Sequence, residues 1–208
     1  MEEVLRHADS NDEKSADPNP IKLFQRWYAE AVAADLSMAD AMTLATASPD
    51  GRPSARMVLL KLVDERGFVF YTNYRSRKAR ELDANPYAAV VFHWEPLERQ
   101  VRVEGRVSRV SADESDEYFQ TRARESQIGA IASPQSDVIE SRAVLEERFR
   151  ELEKSHRGKI ITRPAHWGGY RLTPDQIEFW KGRPGRLHDR LRYELQSDGA
   201  WLITRLAP

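Results

Sequence analysis

The sequence predicts an α+β fold in which antiparallel strands form a small barrel and helices pack against its outside. Most of the predicted strands follow one another between residues 42 and 110, and tight turns such as residues 48–51 and 64–67 separate them. The longer helical patterns come after residue 110. Strands joined by tight turns pair antiparallel, whereas a regular alternation of strands and helices builds a parallel sheet. This order of elements therefore favours an antiparallel sheet.

The chain is predicted to begin with an arm and a helix. Residues 1–19 are polar and charged, show no periodicity, and are predicted to form a mobile arm. Asn19 followed by Pro20 is typical of a helix start. Apolar residues then repeat at helical spacing up to Ala31, which predicts an amphipathic helix. No clear boundary divides residues 20–208, which are predicted to form a single domain.

Five strands are predicted in the barrel, with a short helix between the third and the fourth. Apolar runs and alternating patterns between Gly- and Pro-containing turns indicate each strand. Gly105, inside the last of them, is predicted to mark a bulge or a close approach of two backbones. The strands are residues 42–47, 54–63, 68–72, 87–94 and 99–110, and the helix is residues 76–85.

The rest of the chain is predicted to hold two helices and three short strands. An apolar stripe that includes Leu145, Phe149 and Leu152 supports the second helix. The helices are residues 113–124 and 138–156, and the strands lie near residues 169–172, 178–180 and 201–205.

Composition excludes several classes of protein. The 208 residues carry a net charge of −1 and contain no cysteine. The near-neutral charge provides no global field for nucleic acid or a membrane surface, so any anion site has to be local. The lack of cysteine excludes disulfides, thiolate metal sites and a cysteine nucleophile. No apolar run approaches the roughly 20 residues that span a bilayer, and a cytoplasmic protein is expected.

The chemistry is expected to come from a bound organic cofactor. The sequence contains no Gly-rich dinucleotide loop, no Walker sequence and no nucleophile elbow. His93, His156, His166 and His188 are scattered along the chain, so no metal site is predicted. Such a protein depends on a cofactor for its reactivity and contributes binding and orientation.

Two clusters are candidate phosphate sites. Arg77 and Lys78 open the predicted short helix, where cations are unfavourable unless an anion is bound. Tyr118, Arg122 and Ser126 are spaced i, i+4, i+8 and would share one helix face, with an arginine fork and two hydroxyl donors. A solvated basic helix start and a tyrosine packed on a surface arginine are the alternatives.

Two further basic segments have a strand-like pattern. Arg56 and Lys61 are an odd number of residues apart, so in a regular strand they would face opposite sides, which suits two neighbouring ligands. Near the C-terminus, Arg186, His188 and Arg190 alternate and would share one face of an extended segment, which suits an anionic planar ligand. The alternatives are an edge strand kept soluble by its cations and a solvated charged strand.

Several short motifs occur along the chain from about residue 20 to residue 208. They are Arg56-Met57-Val58-Leu59-Leu60-Lys61, Phe70-Tyr71-Thr72-Asn73, Ser76-Arg77-Lys78, Leu97-Glu98-Arg99-Gln100-Val101, Ser126-Gln127-Ile128-Gly129-Ala130, Gln135-Ser136, Trp167-Gly168-Gly169-Tyr170, and Glu178-Phe179-Trp180 with Arg186-Leu187-His188-Asp189-Arg190. In this order they resemble the pyridoxine (pyridoxamine) 5'-phosphate oxidase family. The resemblance implies an FMN-binding split barrel that forms a homodimer with FMN in clefts at the subunit interface. In that family FMN oxidises pyridoxamine or pyridoxine 5'-phosphate to pyridoxal 5'-phosphate, and O2 reoxidises the flavin to give hydrogen peroxide.

The resemblance also implies roles for individual residues. Two residues over the substrate ring would act in catalysis, Arg186 and His188. The substrate would be held by Lys61, Tyr118, Arg122, Ser126, Arg186, Leu187 and His188. FMN would be bound by Arg56, Met57, Val58, Leu59, Leu60, Lys61, Tyr71, Thr72, Arg77, Lys78, Gln100, Gln135, Ser136, Trp180 and Arg190.

The chain departs from the family pattern in two places. Family members commonly carry an Arg-rich N-terminal segment with a tyrosine that covers the substrate, whereas residues 1–20 contain only Arg6 and no tyrosine. Lys181 stands where Gln, His or Gly is usual. Two alternatives are a flavin oxidase for a larger aromatic substrate, as in phenazine-pathway relatives, and a non-catalytic flavin- or haem-binding split barrel. The presence of Tyr118 and Arg122 argues against both, because these residues suit a small phosphorylated pyridine.

Overall fold

A computed structural model describes residues 16–208, so most of the predicted N-terminal arm lies outside the described residues. Within this part of the chain there are five α-helices and nine β-strands. The helices are α1 (Pro20–Ala33), α2 (Arg77–Ala84), α3 (Ala112–Thr121), α4 (Arg124–Ala132) and α5 (Arg142–Ser155). The strands are β1 (Ala41–Ala47), β2 (Pro53–Leu59), β3 (Leu62–Asp64), β4 (Gly67–Asn73), β5 (Tyr87–Trp94), β6 (Arg99–Arg109), β7 (Trp167–Lys181), β8 (Asp189–Leu195) and β9 (Trp201–Arg205).

These nine strands join one antiparallel sheet, which confirms the predicted class. The strand order is β2-β1-β5-β6-β7-β4-β3, and β8 and β9 extend the sheet from β7. The long strand β7 pairs with β6 along most of its length, but its first half also pairs with β4 and its second half with β8. The sheet therefore divides along β7, as in a split barrel.

Helix α1 shares the core of this sheet. Asn19 caps the helix as predicted, since its Oδ1 accepts a hydrogen bond from the backbone N–H of Ile21 at 2.8 Å. The fully buried ring of Phe24 lies with its centroid 4.8 Å from that of Phe68 and 4.9 Å from that of Phe92. Burying a ring of this size contributes about 1.5–3 kcal/mol, so these contacts attach α1 firmly to β4 and β5.

The predicted strand at residues 54–63 is wrong in one respect, because it is two strands. The backbone N–H of Leu60 bonds to the residue before β1, whereas that of Lys61 bonds to β4, each at 2.8 Å. The chain changes its pairing partner between these residues, and a run of apolar residues does not reveal such a change. Leu60 is buried but Met57 is 60% exposed, so one face of this segment is open within a single chain.

The elements after residue 110 differ more from the prediction. The helix predicted at residues 113–124 ends early, because Arg122 is extended (φ −73°, ψ 146°) and α4 begins separately. The strands predicted near residues 169–172 and 178–180 are one strand, β7. Strand β8 was not predicted, and α5 is shorter than the predicted helix.

Gly105 marks a bulge, as predicted. The register of β6 against β7 shifts between Glu104 and Gly105. A Cβ atom on Gly105 would lie 2.1 Å from the backbone oxygen of Thr173 and 2.8 Å from Cα of Pro174. The bulge also explains how β7 accommodates Pro174, because the ladder is already interrupted where proline cannot donate a hydrogen bond.

Gly105→Ala is expected to lower the free energy of unfolding by about 2–3 kcal/mol, because the new methyl group overlaps backbone atoms that cannot move without breaking the ladder. The matched control is Gly129→Ala in α4, where a Cβ meets nothing within 4 Å. Alanine there is expected to stabilise by roughly 0.5–1 kcal/mol. Urea denaturation measures both values, and equal stability of the two variants would contradict the close approach at Gly105.

Candidate functional site

A cleft with a volume of about 470 Å³ opens beside β2 and β4 and is bordered by α2, α3 and α4. About half of the residues that the sequence predicts for a cofactor or substrate line it. These are Met57, Val58, Leu59, Lys61, Tyr71, Thr72, Lys78, Tyr118, Arg122, Ser126 and Gln135. Among the described residues, the lining contains three cationic side chains and no carboxylate. The cleft is therefore suited to an anionic ligand.

Lys78 is a buried cation on the wall of the cleft. It lies in the first turn of α2, as predicted, and is only 7% exposed. Its Nζ donates to Thr72 Oγ1 at 3.1 Å and to Gln135 Oε1 at 3.4 Å. Burial, and after it the charge of Arg56, lowers the pKa of Lys78 to about 8. A buried ammonium group with only neutral partners is stabilised by an anion, so this position fits a phosphate.

Arg56 and Arg77 converge on Glu81 instead of lining the cleft. The Glu81 carboxylate accepts from Arg56 Nη2 at 3.1 Å and from Arg77 Nε at 2.8 Å. Burial alone would raise the pKa of Glu81, but hydrogen bonds from Ser54, Thr46 and Arg77 outweigh it and bring this pKa to about 2. The backbone N–H of Arg77 donates to Ser136 Oγ at 3.1 Å. Glu81 thus fixes both arginines beside the cleft.

Lys61 and Arg56 lie in different environments, but not on opposite faces of one strand as their odd spacing predicts, because β2 ends at Leu59. Lys61 lines the cleft, and its Nζ donates to Asp40 Oδ2 at 2.8 Å. Arg56 instead donates from Nη1 to the backbone oxygen of Leu44 at 3.1 Å and to Thr46 Oγ1 at 2.6 Å on β1. The separation results from the change of pairing partner after β2, not from one regular strand.

Tyr118, Arg122 and Ser126 all line the cleft, although the single helix face predicted for them is wrong. Tyr118 is on α3 and Ser126 on α4, and Arg122 lies at the break. The side chain of Gln127 stabilises the break, because its Nε2 donates to the backbone oxygen of Phe119 at 2.9 Å. The break, and not helical periodicity, brings the three side chains to one cavity.

The guanidinium of Arg122 lies among aromatic rings. Its Cζ is 4.6 Å from the centroid of the Trp167 ring. The Tyr71 ring stacks on Tyr118 at 3.9 Å and on Trp167 at 5.4 Å between centroids, with interplanar angles of 16° and 11°. Nη1 of Arg122 is buried and has no hydrogen-bond partner among the described residues. Burial lowers the pKa of Arg122, as expected for a cation that lacks a counter-ion.

A second group of predicted residues lies on the other branch of the sheet. Gln100, Trp180 and Arg190 stand side by side across β6, β7 and β8. Arg190 donates to both carboxylate oxygens of Glu178, at 2.7 and 3.1 Å, and this hydrogen bonding raises the pKa of the arginine. The His188 ring lies 4.7 Å from that of Trp180.

The face predicted to be shared by Arg186, His188 and Arg190 is wrong. Gly185 and Arg186 both have positive φ angles, of 68° and 62°, and form a turn before β8 begins. Arg186 and the 74%-exposed Leu187 project from this turn. Within the described residues of one chain, the second group does not line the cleft, and neither does the turn that follows Trp180. The residues concerned are Gln100, Trp180, Arg186, Leu187, His188 and Arg190. The same holds for Arg56, Leu60, Arg77 and Ser136.

The sequence motifs are also those of a known family. Residues 28–156 match the family model described as pyridoxamine 5'-phosphate oxidase. The chain belongs to the pyridoxamine 5'-phosphate oxidase family. Residues 167–208 match a second model, described as the pyridoxine 5'-phosphate oxidase C-terminal dimerisation region. The resemblance stated from the motifs is confirmed.

Individual relatives align with this chain over nearly its whole length. A pyridoxine/pyridoxamine 5'-phosphate oxidase of Rubrobacter xylanophilus is 59% identical over 196 residues, covering 94% of this chain and 90% of the relative. One of Trichormus variabilis is 57% identical, with 94% and 92% covered. PhzG from Burkholderia lata 383, solved with tetrahydrophenazine-1-carboxylic acid, superposes with a TM-score of 0.92 at 34% identity, covering 97% of this chain and 98% of that one. These matches confirm the split-barrel fold.

Several cleft residues of this family member were not predicted as site residues. They are Asn73, Gly129, Ala130, Ser133 and Trp167. The signal for Trp167 was its position before two glycines. A Cβ on Gly169 would lie 2.7 Å from Cγ2 of Val110 and 2.8 Å from the Tyr71 ring, so glycine at this position leaves room for the ring that stacks on Trp167. In residues 16–208, no helix is long and apolar enough to cross a bilayer, and no three His, Asp or Glu side chains are grouped as a metal site.

Proposed function

We propose that the chain is an FMN-dependent oxidase that converts pyridoxamine and pyridoxine 5'-phosphates to pyridoxal 5'-phosphate, with O2 as acceptor and hydrogen peroxide as by-product. The observation that carries this proposal is the pair of cations, Lys78 and Arg122, that line one cleft and have no carboxylate partner within residues 16–208. Each is suited to one phosphate group, and FMN and the substrate carry one each. The relatives that are 57–59% identical are named for this activity.

The cleft fits FMN by volume and by donor set. A volume of about 470 Å³ is typical of cofactor sites. Lys78, Thr72 and Gln135, already hydrogen-bonded to one another, would hold the phosphate, and the apolar residues of β2 would line the ring system. Bound FMN supplies the two-electron acceptor that the side chains themselves lack.

The substrate phosphate would be held by Arg122, Tyr118 and Ser126. Arg122 offers a planar fork of N–H donors, and its Nη1 has no hydrogen-bond partner among the described residues. Lys61 adds a positive charge on the same cavity wall. These groups would fix the substrate so that the carbon to be oxidised faces the flavin, which is a contribution of orientation and not of acid–base chemistry.

The second group of residues would complete the cleft of a partner subunit in a homodimer. The C-terminal segment matches a dimerisation-region model, and Arg186 and Leu187 are exposed within one chain. In the dimer, Gln100, Trp180 and Arg190 would meet the flavin, and Arg186 and His188 would lie over the substrate ring. Arg186 would orient the substrate and stabilise developing charge, because a guanidinium hardly deprotonates.

The second candidate is oxidation of a larger aromatic substrate. The TM-score of 0.92 to PhzG, solved with a phenazine carboxylic acid, favours it. The identity to PhzG is 34%, against 57–59% to the pyridoxine/pyridoxamine 5'-phosphate oxidases. The Arg122 cluster also favours a phosphorylated pyridine, since an unpartnered guanidinium fork matches a phosphate.

The test is to purify the protein, saturate it with FMN, add pyridoxamine 5'-phosphate in air, and follow aldehyde and hydrogen peroxide. Equal amounts of both products at a rate that depends on substrate concentration are expected. A fully flavin-loaded protein that turns over no pyridoxamine or pyridoxine 5'-phosphate would overturn the proposal. A parallel assay with a reduced phenazine carboxylic acid decides the second candidate.

The two phosphate sites are expected to separate by mutation. Arg122→Ala should raise KM for pyridoxamine 5'-phosphate by about 10-fold to 100-fold, the value of a lost hydrogen bond to a charged group, with FMN retained. Arg77→Ala should weaken FMN retention by a smaller factor, because this side chain is 62% exposed and partly neutralised by Glu81. Flavin content after gel filtration and steady-state kinetics measure the two effects. Equal loss of flavin in both variants would show that the division into two sites is wrong.

A further inference from the structure

We infer that Trp167 is a positioning residue for substrate binding: its indole face holds the guanidinium of Arg122 so that the N–H edge of the arginine stays available for the substrate phosphate. The inference deepens the proposed function and rests on it, because the phosphate role of Arg122 belongs to that proposal. Trp167 itself would act only through the arginine.

In the part of the chain that the structure describes, Arg122 is held by aromatic rings and not by a carboxylate. Its Cζ lies 4.6 Å from the centroid of Trp167 and 5.8 Å from that of Phe119. A carboxylate partner would occupy the N–H donors of the fork, whereas a ring contacts its face and leaves the edge free. The buried Nη1 without a partner is the consequence expected of this arrangement.

Three other cations in or beside the cleft are held by carboxylates instead of aromatic rings. Arg56 and Arg77 both donate to the carboxylate of Glu81, and Lys61 donates to Asp40. Their charges are partly neutralised within the chain. Arg122 therefore combines a fixed position with an uncompensated charge, and the aromatic contact is what allows the combination.

The indole is itself held firmly enough to position a neighbour. Trp167 is 6% exposed, stacks on Tyr71 and meets the Phe119 ring edge-on, at 5.2 Å and 68°. Its backbone N–H donates to Pro164 O at 3.0 Å, and its backbone oxygen accepts from Arg163 Nη1 at 2.7 Å. The ring position is thus set by the start of β7 before any ligand binds.

Two substitutions of Trp167 test the inference on the FMN-loaded protein. Trp167→Leu removes the π face, and Trp167→Phe keeps bulk with a weaker face. KM for pyridoxamine 5'-phosphate is expected to rise about fivefold to 30-fold in the leucine variant and about twofold to fivefold in the phenylalanine variant, with kcat within about twofold of wild type. The affinity for the product pyridoxal 5'-phosphate, measured by calorimetric titration, should fall by the same factors. If the leucine variant does not fold, the phenylalanine variant carries the test.

A double-mutant cycle with Arg122→Ala separates positioning from packing. If Trp167 acts through the arginine, Trp167→Phe changes neither KM nor product affinity once Arg122 is alanine. The inference would be overturned if Trp167→Phe raised KM by the same factor in the wild-type protein and in the Arg122→Ala variant. It would also be overturned if neither Trp167→Leu nor Trp167→Phe changed KM. A wild-type protein that neither oxidises the substrate nor binds the product would instead overturn the proposed function.

Discussion

Lys78→Met is expected to remove most of the affinity for FMN and to leave the apoprotein at least as stable as wild type. The substitution deletes a buried ammonium group whose partners in the chain are neutral oxygens, Thr72 Oγ1 and Gln135 Oε1 among them. A hydrogen bond to a charged group contributes about 2–3 kcal/mol, so the dissociation constant should rise about 30-fold to 150-fold. Fluorescence quenching of FMN on titration with apoprotein measures it.

The pH dependence of FMN affinity and of apoprotein stability gives a second test of the role of Lys78. Because burial holds its pKa near 8 against an ordinary 10.5, the side chain is charged below about pH 8 and loses its charge above it. FMN affinity should therefore be level between about pH 7 and pH 8, where the phosphate is already a dianion, and fall as the pH rises through 8. The unfolded chain binds more protons than the folded one between pH 8 and 10.5, so wild-type apoprotein should gain stability over this range. Both slopes should disappear in the methionine variant.

The matched control for Lys78 is Lys22→Met, an exposed lysine on α1. It changes net charge by the same amount and should alter FMN affinity by less than about twofold, since single surface charges contribute little. FMN affinity of the Lys78 variant equal to that of the control would rule out a role for Lys78 in binding the cofactor phosphate.

Glu81→Gln is expected to lower the free energy of unfolding by about 2–3 kcal/mol at pH 7. The carboxylate accepts hydrogen bonds from two hydroxyls and from Arg56 and Arg77, and an amide leaves both arginines without a counter-charge. Because Arg77 is a proposed flavin ligand, the variant should also retain FMN less well. Urea denaturation of the apoprotein measures the first effect, and flavin content after gel filtration measures the second.

The contribution of Glu81 to the free energy of unfolding should vanish in acid. Its pKa of about 2 lies below the ordinary value of 4.5, so the stabilisation is fully present above about pH 4.5 and is lost as the pH falls toward 2. The shift corresponds to about 3 kcal/mol at most. The difference between wild type and Glu81→Gln should therefore shrink between pH 5 and pH 3. Glu147→Gln, an exposed partner of Arg150 on α5, is the control and should change stability by less than about 0.5 kcal/mol at every pH.

Local sequence signals determined most of the elements up to β6, except the division of residues 54–63 into β2 and β3. The Asn19-Pro20 helix start, the turns at residues 48–51 and 64–67, and the bulge at Gly105 each depend on the chemistry of adjacent residues. The motifs together determined the family, and with it the expected cofactor and substrate. These features are readable because their physical causes lie within a few residues of one another.

The tertiary structure alone decided features whose causes are far apart in the chain. The break between α3 and α4 is stabilised by a side chain of α4 bonded to the backbone of α3. Strand β7 continues through Pro174 because Gly105, on another strand, provides the bulge. Helical periodicity and turn signals cannot report either contact, since each acts between elements and overrides the local preference.

The same distinction applies to the cleft. The sequence by itself predicted that Lys78 and Arg122 belong to anion sites. Only the tertiary structure decided what holds each cation: Arg56 and Arg77 meet at Glu81, whereas Arg122 rests on the ring of Trp167 at the start of β7. Whether a cation is neutralised within the chain or left available for a ligand depends on the partner that folding brings to it. That partner is not encoded in the spacing of the cations.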